Sequence, residues 1–468
     1  MTQIQTNSTE TNRIFGLDAL RGLAILLMVL SGVIAHGILP DWMYHAQLPP
    51  PTHKFNPDLP GLTWVDLVFP LFLFCMGAAF PLALKRYVEN PLGGVKRILL
   101  RFFYLSAFAI LLQHVRPGHL GSLSDSMTWV WALVGFGFLF LMYTKWPKSF
   151  SKLIGQILTG LGWIGMIAFV SLYTYPKTEG FDLYRSDIIL IVLSNMALFG
   201  GLFWLFTAKK PSLRYGILII YAALRLSSTN VGWIQDVWSY SPLPWLMKWD
   251  YLKYLVIVIP GMFAGEYVMQ EMKSIDPKLS DKKSSFIALQ IVILILNITL
   301  FVGLQSRYVF FTTLIAGISC FVILHLSKKT WSISSSIHTL IQVSCFWLML
   351  GLLLEPYAGG MKKDPSSFTY WMVTAGMSGL LLSTFVYLFD VLKLKRAQWL
   401  IQNGQNPMIA YVAFANIIWP ILALSGLEVY INSMTHTPIL GFLRGVLYTS
   451  LVALITKLFT TQKIFWKT

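Results

Sequence analysis

The residues best suited to chemistry lie in one stretch, 49–80, which reads PPPTHKFNPDLPGLTWVDLVFPLFLFCMGAAF. A polar, proline-rich loop carries His53, and an apolar helix follows with Asp66 in its first turn. A neutral imidazole can act as a general base or a nucleophile near neutral pH, and a carboxylate can orient it. We therefore expect His53 and Asp66 to form a catalytic pair where this loop meets the helix.

Four other histidines lie in comparable loops, so position in a loop alone does not single out His53: His36, His45, His114 and His119. We select His53 because of the prolines around it. Pro51 precedes it, and Pro57 and Pro60 follow it. Each proline fixes one φ angle, so the loop is stiff and can hold the imidazole in place. An isolated loop histidine is more often inert, and that alternative stays open.

Asp66 also has a structural interpretation. Thr63 precedes it with the Thr-x-x-Asp spacing of a capping box, in which the carboxylate accepts a hydrogen bond from the backbone at the helix start. On its spacing alone, Asp66 is better suited to completing a helix N-terminus than to catalysis.

The composition is that of a membrane protein. The 468 residues are 56% hydrophobic and 12% charged, with a mean hydropathy of +0.63, whereas a soluble domain has about 25% charged residues. Apolar runs recur that are long enough to cross a hydrocarbon core of about 30 Å. We predict an all-α polytopic membrane protein with about fourteen transmembrane helices, within a range of about eleven to fourteen. The predicted spans are 17–38, 64–84, 97–113, 128–144, 152–173, 188–207, 213–228, 252–270, 285–304, 308–326, 337–355, 369–389, 407–424 and 438–460.

The net charge of +16 is explained by the predicted membrane topology. Most of the 36 Lys and Arg residues fall in alternate loops, as the positive-inside rule requires if both termini are cytoplasmic. Residues 1–13 then form a cytoplasmic tail, and the His53 loop faces outward. No basic surface suited to nucleic acid is expected. The three cysteines lie in apolar segments, which argues against a disulfide framework or a metal site.

An ion pair is predicted at the start of the first span. Asp18 and Arg21 are three residues apart, so they share a helical face. Charged groups at this depth are costly unless they are paired or hydrated. Either the pair is purely structural, or Arg21 also helps to hold an anionic cosubstrate.

Two segments joined by a loop with a histidine, LDALRGLAILLMV at 17–29 and GLTWVDLVFPLFLFCMG at 61–77, resemble the heparan-α-glucosaminide N-acetyltransferase-like family of membrane acyltransferases. The turn Lys362-Lys363-Asp364-Pro365, the segment GQNPMIAYV around Asn406 and the closing KIFWK are similar to further features of that family. The resemblance implies one transmembrane acyltransferase domain, 14–468, with a core of about ten spanning helices. Two helix pairs, 128–173 and 285–326, would be insertions into it.

The resemblance also implies the reaction. The family moves an acetyl group from cytosolic acetyl-CoA to the amine of a glucosamine on the far side of the membrane, with a loop histidine at its centre. His53 is taken as the matching residue. The chain departs from the family pattern after His53, where Asn-Pro-Asp-Leu-Pro replaces Trp-Asn-Gly, and at Ser31-Gly32, where the family has an asparagine.

The site implied by this resemblance has three groups of residues. His53 and Asp66 are catalytic. A helix start and basic side chains would hold the phosphates of acetyl-CoA, namely Arg21, Arg97, Arg101 and Asn406. Lys363 and Trp64 would bind the acceptor, and no metal is expected. The expected partners are acetyl-CoA, an amino-sugar glycan, the lipid bilayer of a bacterial inner membrane and a second copy in a homodimer.

Two other functions stay open. One is a membrane O-acyltransferase that places acetyl or a longer acyl group on a surface glycan. The other is a transporter of sugars or lipid-linked glycans, which typically has internal repeats and broken helices at mid-membrane. The two halves of this sequence show no clear repeat.

Overall fold

The computed structural model describes residues 13–147, 150–176, 180–229, 232–273, 282–332 and 335–466. Of the predicted tail 1–13, Arg13 falls within these ranges and the rest lies outside them. The helices are α1 (Phe15–Val33), α2 (Trp64–Leu84), α3 (Pro91–His114), α4 (Pro117–Leu120), α5 (Ser126–Tyr143), α6 (Lys152–Leu172), α7 (Ile188–Thr207), α8 (Leu213–Ser227), α9 (Trp233–Ser239), α10 (Leu255–Glu271), α11 (Lys283–Gln305), α12 (Val309–Trp331), α13 (Ser336–Leu354), α14 (Phe368–Val386), α15 (Gln398–Gln405), α16 (Pro407–Ala413), α17 (Trp419–Leu424), α18 (Leu427–Asn432) and α19 (Pro438–Thr461).

Shorter elements complete the described chain. The 3₁₀ turns are Asp41–Met43, Lys85–Tyr87, Trp249–Tyr254 and Ser433–His436. A π-helical turn, Tyr387–Val391, extends α14, and another, Phe414–Ile418, joins α16 to α17. Two strands, β1 (Thr144–Lys145) and β2 (Phe465–Trp466), pair antiparallel.

The predicted fold class is confirmed. Twelve helical segments in the described part of the chain are long and apolar enough to cross a membrane, so the chain is an integral membrane protein. Two of the fourteen predicted spans fall outside this set. α3 has 24 residues but carries Lys96, Arg97 and Arg101, which lower its hydropathy. α8 has 15 residues, or roughly 22 Å at 1.5 Å per residue, which is shorter than a hydrocarbon core of about 30 Å.

α2 lies at the centre of the helix bundle. In its spanning segment, Trp64–Tyr87, 78% of the most apolar window is buried. It packs against α1, α7, α10 and α14. A helix that is apolar on every side is stable when other helices surround it. Asp66, in its first turn, is thereby held on a rigid element.

α1 and α15 approach each other at backbone distance. A Cβ atom on Gly22 would lie 1.9 Å from the carbonyl oxygen of Leu400, and one on Gly404 would lie 1.8 Å from that of Asp18. Small residues permit such close helix contacts in membranes. The contact sets the position of Arg21 at the inner half of α1.

The two predicted insertions are the helix pairs α5–α6 and α11–α12. In each pair the second helix is less buried than the first. Of the most apolar segment, 22% is buried in α6 and 28% in α12. Each pair nevertheless reaches inward at one end. The turn after α5 supplies β1, in which Thr144 lies opposite Trp466 of β2. The turn between α11 and α12 supplies Arg307, which pairs with Glu355.

Candidate active site

Asp66 holds two different groups with its two oxygens. Oδ2 accepts hydrogen bonds from Thr63 N (3.2 Å), Thr63 Oγ1 (3.0 Å) and Ala46 N (3.0 Å). Oδ1 lies 2.7 Å from Nδ1 of His45. The predicted capping interaction between Thr63 and Asp66 is therefore confirmed, and the second oxygen is available for a histidine. With 2% of its side chain exposed and four donors around it, Asp66 is surrounded as an ionised carboxylate would be.

His45 is oriented by this carboxylate. Because an ionised carboxylate only accepts hydrogen bonds, Nδ1 of His45 is assigned as the donor and Nε2 keeps its lone pair. The side chain of His45 is 32% exposed, and Nζ of Lys363 lies 3.3 Å from this nitrogen. An imidazole whose Nδ1–H is held by a buried carboxylate has the orientation of a general base.

Lys363 brings a positive charge against the same imidazole. Its Nζ lies 3.0 Å from Nδ1 and 3.3 Å from Nε2 of His45, and 3.9 Å from Oδ1 of Asp66. Burial lowers the pKa of Lys363, and the carboxylates of Asp66 and Asp364 counteract that shift. A cation in this position can stabilise negative charge that develops on an oxygen beside His45.

Gln47 joins the loop that carries His45 to the loop that carries Lys363. Nε2 of Gln47 donates to the carbonyl oxygen of Asp364 (2.6 Å), and Oε1 accepts from Asp364 N (2.8 Å). This pair of hydrogen bonds spans 317 positions of the sequence. The histidine and the lysine are therefore held together by the backbone of Asp364.

Gln47 also closes the proline-rich loop on itself. Its Nε2 donates to the carbonyl oxygen of Pro57 (3.2 Å), and its own carbonyl oxygen accepts from Asn56 N (2.9 Å). Residues 48–55 therefore form an outward excursion whose two ends meet at Gln47. His53 lies within this excursion.

The tip of the α11–α12 pair supports the Lys363 loop from outside. Arg307 pairs with Glu355, whose side chain is 1% exposed. Oε1 of Glu355 also accepts from Met361 N (3.3 Å), and the carbonyl oxygen of Met361 accepts from Gly61 N (2.8 Å). A chain of contacts thus runs from the inserted pair to both loops of the site.

The interpretation that Asp66 orients His53 is wrong. Among the described residues, no hydrogen bond joins the two side chains. Nε2 of His53 instead accepts from Gly37 N (3.0 Å), and its ring packs edge-on against Tyr44 and His36, with centroids 4.6 and 5.3 Å apart. The proline-rich loop folds back over the segment that follows α1.

Trp64 lies at the edge of the same outer loop. Its side chain is partly buried and packs on a small apolar cluster, whose members are Ile34, Leu39, Met43 and Tyr44. This contact anchors the loop to the start of α2. The assignment of Trp64 to acceptor binding stays a prediction.

Two cavities bring the predicted coenzyme arginines together. Arg21 and Arg101 line one of about 310 Å³, between α1, α2, α3, α7 and α16. Arg97 lines a second, of about 750 Å³, together with Lys85 and Arg86. Arg101 lines both cavities. All three predicted arginines therefore border one connected basic region.

Arg21 forms the predicted ion pair and lines the cavity of about 310 Å³. Its NH2 group lies 2.8 Å from Oδ1 of Asp18, which confirms the ion pair. Its Nε donates to the carbonyl oxygen of Gly404 (2.6 Å). The guanidinium is thus fixed on the cavity wall by contacts on both sides.

The predicted anion cradle at Asn406 is corrected. Both atoms of its amide bind the C-terminal strand, with Nδ2 donating to the carbonyl oxygen of Ile464 (2.8 Å) and Oδ1 accepting from Trp466 N (3.1 Å). The side chain makes no capping hydrogen bond to α16. Its effect is to hold Trp466, which lines the 310 Å³ cavity. The Asn-Pro spacing of an N-cap cannot reveal a partner so distant in sequence.

The cavity and the His45–Asp66 pair lie one after the other along α2. Asp66 is in the first turn, and Phe72 is the first residue of α2 on the cavity wall. Six residues of helix separate them by roughly 9 Å. None of His45, Asp66 and Lys363 lines this cavity.

His45 and Gln47 are the site residues that sequence reasoning missed. No spacing or turn motif separates His45 from the neighbouring loop histidines. Its partner lies 21 positions away across the proline-rich excursion. Only the folded loop shows that His45, and not a neighbouring histidine, contacts Asp66.

Comparison with known proteins gives two matches. Residues 13–268 match a domain of unknown function, DUF5009. The heparan-alpha-glucosaminide N-acetyltransferase of Mus musculus is 31% identical over 126 residues, which are 26% of this chain. The matched region covers 17% of that relative's length. The DUF5009 match takes in His45, Asp66 and the three arginines, whereas Lys363 lies beyond it.

Proposed function

This chain belongs to the DUF5009 family, and we propose that it is a membrane acetyltransferase whose general base is His45. The donor is acetyl-CoA, and the acceptor is the amine of a terminal amino sugar on the opposite side of the membrane. The partial likeness to a mouse N-acetyltransferase supports acyl transfer. The observation that carries the proposal is the 2.7 Å contact between Nδ1 of His45 and Oδ1 of the buried Asp66.

The inner cavities suit the donor. Arg21, Arg97 and Arg101 would bind its phosphates, since guanidinium groups pair well with phosphate oxygens. Nε of Arg101 is buried without a hydrogen-bond partner among the described residues, so it has a donor left for an anion. The apolar wall, which includes Met76 and Phe108, would take the uncharged arm that ends in the thioester.

The outer residues suit the transfer step. The acceptor amine attacks the carbonyl carbon of the thioester, and Nε2 of His45 takes one of the amine protons as the C–N bond forms. The C–S bond then breaks, and the leaving thiolate receives the proton from the imidazolium. Asp66 stabilises that imidazolium, and Lys363 stabilises the oxyanion of the tetrahedral intermediate.

The test is acetyl transfer by the purified full-length protein in lipid nanodiscs. It is given acetyl-CoA labelled in the acetyl group and an oligosaccharide that ends in glucosamine. We expect labelled N-acetyl product from the wild type and roughly 10²- to 10⁴-fold less from His45→Ala. His53→Ala is the matched control, since it removes an imidazole from the same outer loop and should keep most of the activity.

Three results would contradict the proposal. If His53→Ala abolished transfer and His45→Ala did not, the base would be His53. If only hydroxyl acceptors were labelled, the protein would be an O-acyltransferase. If it catalysed sugar counterflow without acetyl-CoA and formed no acetylated product, it would be a transporter.

A further inference from the structure

A third cavity, of about 410 Å³, opens beside the start of α1, and Leu82 lines both this cavity and the one of about 750 Å³. Four cationic side chains from three segments of the chain line it: Arg13, Lys273, Lys393 and Lys395. We propose that this cavity binds the phosphate head group of an anionic phospholipid. The proposal is independent of the acetyltransferase activity.

The cations stand at the depth of lipid phosphates. Arg13 precedes the span Phe15–Val33, Lys273 follows the span that ends at Glu271, and Lys393 and Lys395 follow the span that ends at Val391. Each basic residue is therefore just outside the hydrocarbon core on the same face of the protein. Basic residues at this level attract anionic lipid head groups.

The floor of the cavity is apolar. Leu82, Met269, Met272 and Phe389 line it, and all but Met272 lie within spanning segments. Cations above apolar side chains match an amphiphile, with its phosphate at the rim and its chains along the helices.

Of the four cations, Arg13 pairs with Asp18, with 2.5 Å between Nε and Oδ2. No ion pair involving Lys273, Lys393 or Lys395 occurs among the described residues. Asp390 also lines the cavity, but its two oxygens accept from Phe15 N (2.8 Å) and Gly16 N (2.7 Å). The carboxylate thus caps α1, and the lysines remain available for an external anion.

Basic residues on this face are expected from the positive-inside rule alone. That rule does not gather residues from three distant segments around one cavity with an apolar floor. Lys393 is also held with φ at +53°, a left-handed conformation that is uncommon outside glycine. The backbone after the π-helical turn is therefore shaped to present this lysine.

Native mass spectrometry of the detergent-purified protein tests the proposal. Phosphatidylglycerol and phosphatidylcholine of the same chain composition are titrated separately, and bound lipid is counted. We expect the wild type to bind phosphatidylglycerol at least roughly tenfold more tightly, since each basic residue near the head group favours it. The triple variant Lys273→Gln, Lys393→Gln, Lys395→Gln should lose this preference.

A matched control carries the same change in charge on the same predicted face: Lys283→Gln, Lys328→Gln and Lys329→Gln at the ends of α11 and α12. It should keep the preference. If both triple variants lost it equally, or if the first kept it, the proposal would be overturned. Displacement of the lipid by added coenzyme A would overturn it too, because the cavity would then bind a soluble phosphate compound.

A folding defect in the first triple variant is separated from lost binding in two ways. Each protein is first compared by its gel-filtration profile and thermal unfolding. The charge-conserving variant Lys273→Arg, Lys393→Arg, Lys395→Arg should fold and keep the preference for phosphatidylglycerol. If this arginine variant folded but lost the preference, charge would not be the determinant and the proposal would fail.

Discussion

Nδ1 of His45 lies 2.7 Å from Oδ1 of Asp66, while the other oxygen of the same carboxylate caps α2. We expect Asp66→Asn to lower kcat for acetyl transfer roughly 10²- to 10⁴-fold, because an amide neither fixes the tautomer of His45 nor stabilises its imidazolium. Steady-state kinetics with glucosamine-ended acceptor measures the loss.

Thr63→Val tests what the Thr63 hydroxyl contributes. It removes the contacts of Oγ1 with the carbonyl oxygen of Tyr44 (2.7 Å) and with Oδ2 of Asp66 (3.0 Å), and it leaves Thr63 N on Oδ2 and Oδ1 on His45. We expect a loss of about 1 kcal/mol in the free energy of unfolding, with kcat close to the wild type. A loss of kcat as large as that of Asp66→Asn would contradict this expectation, because the contact between Asp66 and His45 is intact in Thr63→Val.

Lys363 should give the reaction an alkaline limit. Burial lowers its pKa, so the charged form is present below that lowered value and disappears as pH rises through it. We expect kcat to fall on that alkaline side. Lys363→Arg should move the fall to higher pH, since a guanidinium stays charged. Lys363→Met should lower kcat roughly 10²-fold and abolish the fall in kcat at alkaline pH. A pH–rate profile unchanged in all three proteins would exclude Lys363 from the chemistry.

Arg307→Met should destabilise the protein through Glu355. The side chain of Glu355 is 1% exposed, so removal of Arg307 leaves a buried carboxylate without its partner. Because Arg307 is itself 41% exposed, we expect a loss of about 1–3 kcal/mol in the free energy of unfolding, less than for a fully buried pair. Lys209→Met, which breaks an exposed pair with Glu89, should have little effect on thermal unfolding in detergent.

The double variant Arg307→Met, Glu355→Gln closes a mutant cycle for this pair. It should be more stable than Arg307→Met alone, because no charge is left buried. If the effects of the two substitutions simply added, the contact between Arg307 and Glu355 would contribute nothing to stability.

Gly22→Ala should separate α1 from α15. The added Cβ would lie 1.9 Å from the carbonyl oxygen of Leu400, a backbone atom that cannot turn aside. We expect a loss of roughly 1–3 kcal/mol in stability from the forced displacement. Gly32→Ala is the control in the same helix, since a Cβ there meets nothing within 4 Å. It should be neutral or slightly stabilising because alanine favours helix. Equal thermal unfolding of the two variants would contradict the close contact.

Asn406→Ala should weaken acetyl-CoA binding without slowing transfer. It removes the hydrogen bonds to Ile464 O and from Trp466 N, which hold the C-terminal strand and with it Trp466 in the cavity wall. We expect the KM for acetyl-CoA to rise several-fold with kcat nearly unchanged, as for a loss of uniform binding. The matched control is Asn432→Ala, which removes an exposed asparagine far along the chain. A fall in kcat at constant KM would show instead that Asn406 acts on the chemistry.

Local spacing predicted the parts of the site that depend on local geometry. The Thr63–Asp66 cap and the Asp18–Arg21 pair each join residues three positions apart, and both are present. Composition and apolar run length likewise predicted the membrane fold, because a span must satisfy its own backbone within the lipid.

The remaining contacts depend on how distant segments fold together. Gln47 meets Asp364 across 317 positions, and Asn406 meets Trp466 across 60. Neither partner can be inferred from one sequence without its fold. The contact of Asp66 with His45 and not with His53 could not be predicted for the same reason, since the prolines of the loop do not determine which way it turns.

The excursion closed by Gln47 offers a place for a reporter of binding. Leu48 N donates to the carbonyl oxygen of His45 (2.9 Å), so the excursion is joined directly to the segment that carries the proposed base. Lys54 is exposed within it. A solvatochromic dye attached to Lys54 would turn movement of this segment, on arrival of an acceptor, into a change of emission wavelength.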